Sequence, residues 1–221
     1  MLVGDRDSLA AHIQPVKGKP MAFQASSLIQ PASFRKLELE PLFRAHDARL
    51  MVYWRTATTA AYPAVREALE TLERERRALE SRTLDQIAPG EQQPEVEHAF
   101  KGEDTRTGLH LGRRWRDTGR FISYRLQAPA LDGALELALT FSGADENGGF
   151  QLLVNEREIA RIQLAGGRPD EFLELTFPIP RDLVSAPKDG ITVRLVADRQ
   201  RTSGLFDLRL LKANSPAPAP Q

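Results

Sequence analysis

Cysteine is absent from all 221 residues, which removes disulfides, thiolate nucleophiles and thiolate metal sites at once. No apolar run approaches the ~18 residues that a membrane-spanning helix needs. Met1 to Leu9 carries Asp5, Arg6 and Asp7 where an export signal would place its apolar segment. An excess of one charge is missing too, since Lys+Arg and Asp+Glu both number 30. Nucleic-acid binding ordinarily leaves a basic excess, because phosphate neutralisation supplies most of its affinity. Neither nucleic acid nor membrane is therefore expected as a partner, and localisation stays open. What is present is ordinary: 41% apolar and 27% charged residues, enough to bury a core.

The pattern along the chain predicts a mainly β protein: a truncated β-sandwich segment, a connecting α-helix, then a complete jelly-roll-like antiparallel β-sandwich. Residues 1–60 read as the end of a first, incomplete sandwich. Leu2-Val3 looks like the close of a strand, and Met21–Ala25, Phe34–Glu40 and Leu50–Arg55 are strand candidates punctuated by Pro15, Gly18, Pro20, Pro31 and Pro41. Residues 61–83 form the linker helix. Tyr62, Val65, Leu69, Leu72, Arg76 and Leu79 recur at steps of three and four. Five arginines and five glutamates fill the rest of it, with Arg66–Glu70, Glu70–Arg74, Glu73–Arg77 and Arg76–Glu80 at i,i+4, a solvated face.

Residues 84–213 make the second sandwich. Leu135, Leu137, Leu139 and Phe141 alternate with Glu136, Ala138 and Thr140, the period of a half-buried strand. Thr105–Leu111, Phe121–Gln127, Gln151–Val154, Ile159–Leu164, Phe172–Phe177, Ile191–Ala197 and Leu205–Leu211 complete about eight strands. Asn155–Glu158, Gly166–Pro169 and Pro187–Gly190 supply turn sequences. The Pro/Ala tail, residues 214–221, is expected to be disordered.

Motifs for chemistry are scarce. His12, His46, His98 and His110 fall in no metal-binding spacing, so no metal site is expected. Asp145-Glu146-Asn147-Gly148 lacks the ligand order of a calcium loop and reads as a hairpin turn. Gly18-Lys19 is followed by Pro20, which excludes a phosphate-binding loop. Paired carboxylates or a Ser-His-Asp triad have no local signature, so no catalytic residue is nominated. The most distinctive stretch, residues 90–124, holds Trp115, Arg116 and Asp117. An aromatic platform beside guanidinium and carboxylate groups is the chemistry of a sugar-binding surface, and these three are the carbohydrate-binding candidates. The alternative is a Trp packed under the sandwich edge, with an Arg–Asp pair fixing a loop.

Three stretches resemble the C-terminal region of the β-L-arabinofuranosidase family of glycoside hydrolases. They are Pro41-Leu42-Phe43-Arg44-Ala45-His46-Asp47-Ala48-Arg49 with Tyr53-Trp54, then Pro89-Gly90-Glu91-Gln92-Gln93-Pro94-Glu95, then Gly112-Arg113-Arg114-Trp115-Arg116-Asp117 with Ser123-Tyr124. The resemblance implies a non-catalytic accessory region that braces a catalytic (α/α)-barrel, the implied partner, and exposes an apolar patch on residues 1–60 where that barrel docks. Cleavage in such enzymes uses a cysteine on zinc. Without cysteine this chain is expected to be no enzyme by itself and to hold no cofactor, zinc belonging to the barrel alone. The alternative is a carbohydrate-binding module for plant-type, arabinose-containing glycans.

Overall fold

The computed structural model describes residues 1–5, 12–24, 28–34, 38–41, 55–128, 133–184, 190–198 and 200–213. The strand expected at Leu50–Arg55, most of the stretch from Pro41 to Trp54, the turn at 187–189 and the 214–221 tail lie outside them or nearly so. Two units divide the chain, Met1–Arg77 and Ala78–Gln221. In the first, β1 (Leu2–Val3), β2 (Gln14–Pro15), β3 (Phe23–Gln24), β4 (Glu38–Leu39) and β5 (Thr56–Ala57) are all two-residue strands. β1 pairs in parallel with β5, and β2-β3-β4 form a small antiparallel sheet. Only Ala22, Leu28 and Ile29 are buried there among the described residues.

Helix α1 (Tyr62–Arg82) contains the whole three-and-four pattern, with Pro63 in its first turn, where a missing N–H costs little. Arg66 and Arg77 reach Glu70 and Glu73 at 2.6 and 2.9 Å, as their spacing predicts. Glu73 also takes Arg76 at i,i+3.

The second unit is a β-sandwich. Its strands are β6 (Thr83–Ile87), β7 (Lys101–His110), β8 (Arg113–Leu126), β9 (Leu135–Ser142), β10 (Glu146–Val154), β11 (Arg157–Ala165), β12 (Phe172–Ile179), β13 (Ile191–Ala197) and β14 (Leu205–Lys212). Helix α2 (Gln92–Glu97) lies between β6 and β7. The strand order is β11-β10-β13-β8-β14-β9-β12, with β7 on the far edge of β8 and β6 on that of β14. Two sheets are thus joined through β8. Its last six residues pair with β13, while Arg116 meets Leu205 of β14.

Antiparallel register puts directly opposed residues on one face, and the core follows from it. Leu152 faces Leu195, Val193 faces Tyr124, Leu139 faces Leu208 and Leu137 faces Leu210. All eight are at most 1% exposed. Each fully buried side chain of this size stabilises by about 1.5–3 kcal/mol. The turn after β10 is tighter than Asn155–Glu158: only Asn155 and Glu156 form it, both at positive φ (48° and 63°).

Helix α2 fastens the mouth of the sandwich. Buried Glu95 accepts Gly90 N–H (2.9 Å), Arg116 Nε (2.5 Å) and Tyr124 Oη (3.1 Å) on one oxygen, and Arg116 Nη2 (2.7 Å) on the other. Arg116 also donates to Thr105 and lies 4.4 Å over the Phe100 ring. Burial, reinforced by the Glu95 carboxylate, pushes the Tyr124 phenol up. Nearby, His98 points one ring nitrogen at Pro94 O (2.6 Å) and the other at Asp85 Oδ1 (3.0 Å). Burial opposes its charge, yet two acceptors favour the doubly protonated ring and its pKa is raised.

Removing Glu95 leaves a largely buried guanidinium without its carboxylate. We expect Glu95→Ala to lower the unfolding free energy by about 3–5 kcal/mol, read as a reduced urea midpoint with an unaltered m value. A loss below 1 kcal/mol contradicts this role.

Candidate functional site

Strands β7 and β8 are joined through Leu111 and Gly112, both at positive φ, so the hairpin reverses tightly. Three residues into β8, the Trp115 indole lies against two glycines. A Cβ built on Gly108, its cross-strand partner, would come 2.3 Å from Trp115 Cζ2, and one on Gly204 would come 3.1 Å from Cδ2. Any side chain at Gly108 would displace the ring. The indole borders a pocket of about 640 Å³, lined also by His110, Asp117, Asp145, Gln200, Ser203 and Phe206 among others.

One wall is the loop between β13 and β14, held by a guanidinium clamp. Arg201 donates to Asp117 through Nε (3.2 Å) and Nη2 (2.6 Å), to the Asp104 carboxylate through Nη1 (2.8 Å) and to the Asp104 carbonyl through Nη2 (2.7 Å). Asp104 sits in a β-bulge at φ 51°, a left-handed conformation that turns it toward Arg201. Both carboxylates hold the Arg201 proton more firmly than usual. Thr202 completes the wall: its Oγ1 accepts the Thr118 N–H (3.0 Å) and its own N–H meets Thr118 O (2.8 Å).

Against this frame stand three side chains that each bury one polar atom without a partner of good hydrogen-bond geometry. Among the described residues four buried side-chain polar atoms lack a hydrogen-bond partner, and three of them line this one pocket: His110 Nε2, Asp145 Oδ2 and Ser203 Oγ. Leaving such an atom unmet costs about 1–3 kcal/mol. The His110 ring meets Phe172 edge-on and Phe206 at a tilt, at ring distances of 6.3 and 6.2 Å. Burial pushes the Asp145 carboxyl up, and the Gly204 amide, the Ser203 hydroxyl and His110 only partly offset it. A carboxylate, a hydroxyl and an imidazole offer acceptor and donor capacity together, beside an aromatic ring.

The strand pleat separates the three candidates read from sequence. Trp115 and Asp117 face the pocket. Arg116 points to the opposite side, into the ion pair with Glu95 and a second hollow bordered by Phe100 and Val96. The expected sugar-binding trio therefore does not share a face: neighbouring strand residues point opposite ways, and Arg116 is a fastening group. Asp117 is itself engaged by Arg201, the loop-fixing alternative in part. His110, Asp145 and Ser203 were not legible as site residues. His110 lacks metal spacing, and Asp145 opens a stretch that reads as a hairpin turn, although Glu146 and Gly148 already belong to β10. Among the described residues no cluster of three or more His, Asp or Glu could hold a metal ion, and no helix is long and apolar enough to cross a membrane.

Two family models match the chain. One, a family of unknown function (DUF6805), matches residues 78–211. The other, a domain of unknown function (DUF4986), matches residues 1–56. No curated protein matches. Among solved structures, the chain is similar to a family 35 carbohydrate-binding module from Clostridium thermocellum, at 12% identity and a TM-score of 0.39, over 52% of this chain and 92% of that one. A family 35 module from Cellvibrio japonicus matches at 14% identity and a TM-score of 0.44, over 58% and 94%. An exo-β-1,3-galactanase from Phanerochaete chrysosporium matches at 10% identity and a TM-score of 0.40, over 57% of this chain and 28% of that one.

The Asp145 environment sets a pH dependence. A carboxyl whose folded pKa lies above its unfolded value keeps its proton longer when folded. It therefore costs stability as pH rises through that window and at all higher pH. We expect Asp145→Asn to raise Tm at pH 7, with the gain narrowing as pH falls toward about 4. A thermal-unfolding series across that range checks it, and a loss of Tm at neutral pH contradicts it.

Proposed function

We propose that this chain, which belongs to the DUF6805 family, is a non-catalytic, carbohydrate-binding accessory module whose ligand lies in the pocket beside Trp115. The observation that carries the reading is that His110, Asp145 and Ser203, each with a buried polar atom lacking a partner of good hydrogen-bond geometry, all line one aromatic-bordered pocket. Ligand sites combine an apolar wall with a few placed polar groups, and unmet buried groups recover their lost hydrogen bonds when a ligand supplies hydroxyls. Hydroxyls donate and accept equally, which suits this mixed set. An anionic ligand suits it poorly, because two carboxylates line the pocket and Arg201 is already held by Asp117 and Asp104.

The finer reading follows the sequence resemblance to β-L-arabinofuranosidases. Arabinose-containing glycans are then the first ligands to try, and a catalytic (α/α)-barrel is the domain served. Zinc and hydrolysis stay with cysteines that this chain lacks. Bracing of that barrel is the second reading, favoured by exposed Ile13 and Met21 in the first unit.

Calorimetric titration with arabino-, xylo- and galacto-oligosaccharides tests the binding reading. We expect heat of binding with at least one series, and a loss of about tenfold or more in affinity for Trp115→Ala, about 1.4 kcal/mol. Ser203→Ala provides the sharper check. Its hydroxyl also helps hold the Asp145 carboxylate, so affinity falls while Tm drops only slightly. No heat with any series, and no change in tryptophan fluorescence, overturns the reading.

A further inference from the structure

Asp145 and Ser142 line two cavities at once: the pocket beside Trp115 and a smaller one of about 150 Å³ that continues past them. The second is walled by the turn between β11 and β12. Gly166 and Gly167, at φ 66° and 87°, shape that turn. It is fixed to the end of β9, since Arg168 N–H donates to Gly143 O (2.9 Å) and Gly143 N–H to Glu171 O (2.9 Å). Beneath both cavities runs a shared aromatic floor. Phe206 lines the first and Phe172 the second, and their rings meet edge-to-face at 4.9 Å. The His110 ring packs against both.

The polar groups of the smaller cavity differ in kind. Arg168 and Glu171 are about two-thirds exposed and approach each other only to 3.7 Å, a loose surface pair worth little. Both can turn to a ligand at small cost.

Resting on the carbohydrate-binding reading, we propose that the two cavities are consecutive subsites for a linear neutral oligosaccharide. One sugar sits beside Trp115, the next lies over Phe172 within reach of Arg168, and Asp145 faces the linkage between them. The module then grips a run of chain in preference to a single ring, because each added unit gains contacts in a groove that is already formed.

The test compares mono-, di- and trisaccharides of each series in titrations with the intact chain. We expect affinity to rise about tenfold or more from mono- to trisaccharide, the effect of one added hydrogen bond to a charged group. Arg168→Ala, on an exposed side chain, is expected to erase most of that rise, and Ala165→Trp to block the smaller cavity with the same selectivity for longer ligands. Equal affinity across chain lengths overturns the two-subsite proposal and leaves the binding reading standing. So does a rise that neither substitution reduces. No binding of any sugar overturns both.

Discussion

The alternation of β8 governs everything placed around it. A strand of 14 residues spans roughly 46 Å at about 3.3 Å per residue, long enough to serve both sheets. Its far half pairs with β13 and its near half reaches β14 at Arg116. Because side chains alternate, the junction must send Arg116 one way and its neighbours the other. Arg116 turns to Glu95 and ties α2 to the sandwich. Trp115 and Asp117 turn to the loop that precedes β14. One pleat thus builds a structural ion pair on one side and the wall of a pocket on the other.

The two sides differ in how their polar groups are met. Around Glu95 every oxygen has donors, and the pair with Arg116 is shielded enough for its loss to be costly. Around Arg201 the same largely holds: five contacts to Asp117 and Asp104 occupy four of its five N–H groups. This rigidity gives the unmet atoms of His110, Asp145 and Ser203 their meaning. A soft loop would relax to satisfy them, whereas a loop clamped at Arg201 and Thr202 holds Ser203 in place. Preorganisation of this kind lowers the ordering cost of binding, and the sandwich core can carry a few unmet hydrogen bonds.

Much of this fold was legible because its signals are local. The Leu135–Phe141 alternation is β9 nearly to the residue, Ile191–Ala197 is β13, and the three-and-four stripe from Tyr62 to Leu79 lies wholly within α1. Helix α2 escaped because six residues containing Pro94 are too short to show a period. β8 was read eight residues short at its start: Arg113 to Arg120 is polar and half exposed, and its pairing with β7 owes nothing to a hydrophobic face. The site was legible only in part. Trp115 and Asp117 stand out by residue type, but His110 comes from the end of β7, and Asp145 and Ser203 from two separate connections. Sequence adjacency suggested Trp115-Arg116-Asp117 as a unit, and strand geometry forbids that.

The two carboxylates of the larger cavity are held in unlike ways. Glycoside hydrolysis by acids needs two that act across the bond, one protonated and one ionised. Asp117 and Asp145 both line the larger cavity, and at first sight they answer that description, since Asp145 is pushed up by burial. Asp117, however, is held by Arg201 at 2.6 and 3.2 Å, so its oxygen already accepts hydrogen bonds from the wall of the pocket. Freeing it would release Arg201 and with it the wall that carries Ser203. The second carboxylate is thus already used to hold the pocket together. In the proposed binding mode Asp145 is the carboxylate left to accept a ligand hydroxyl and orient a ring.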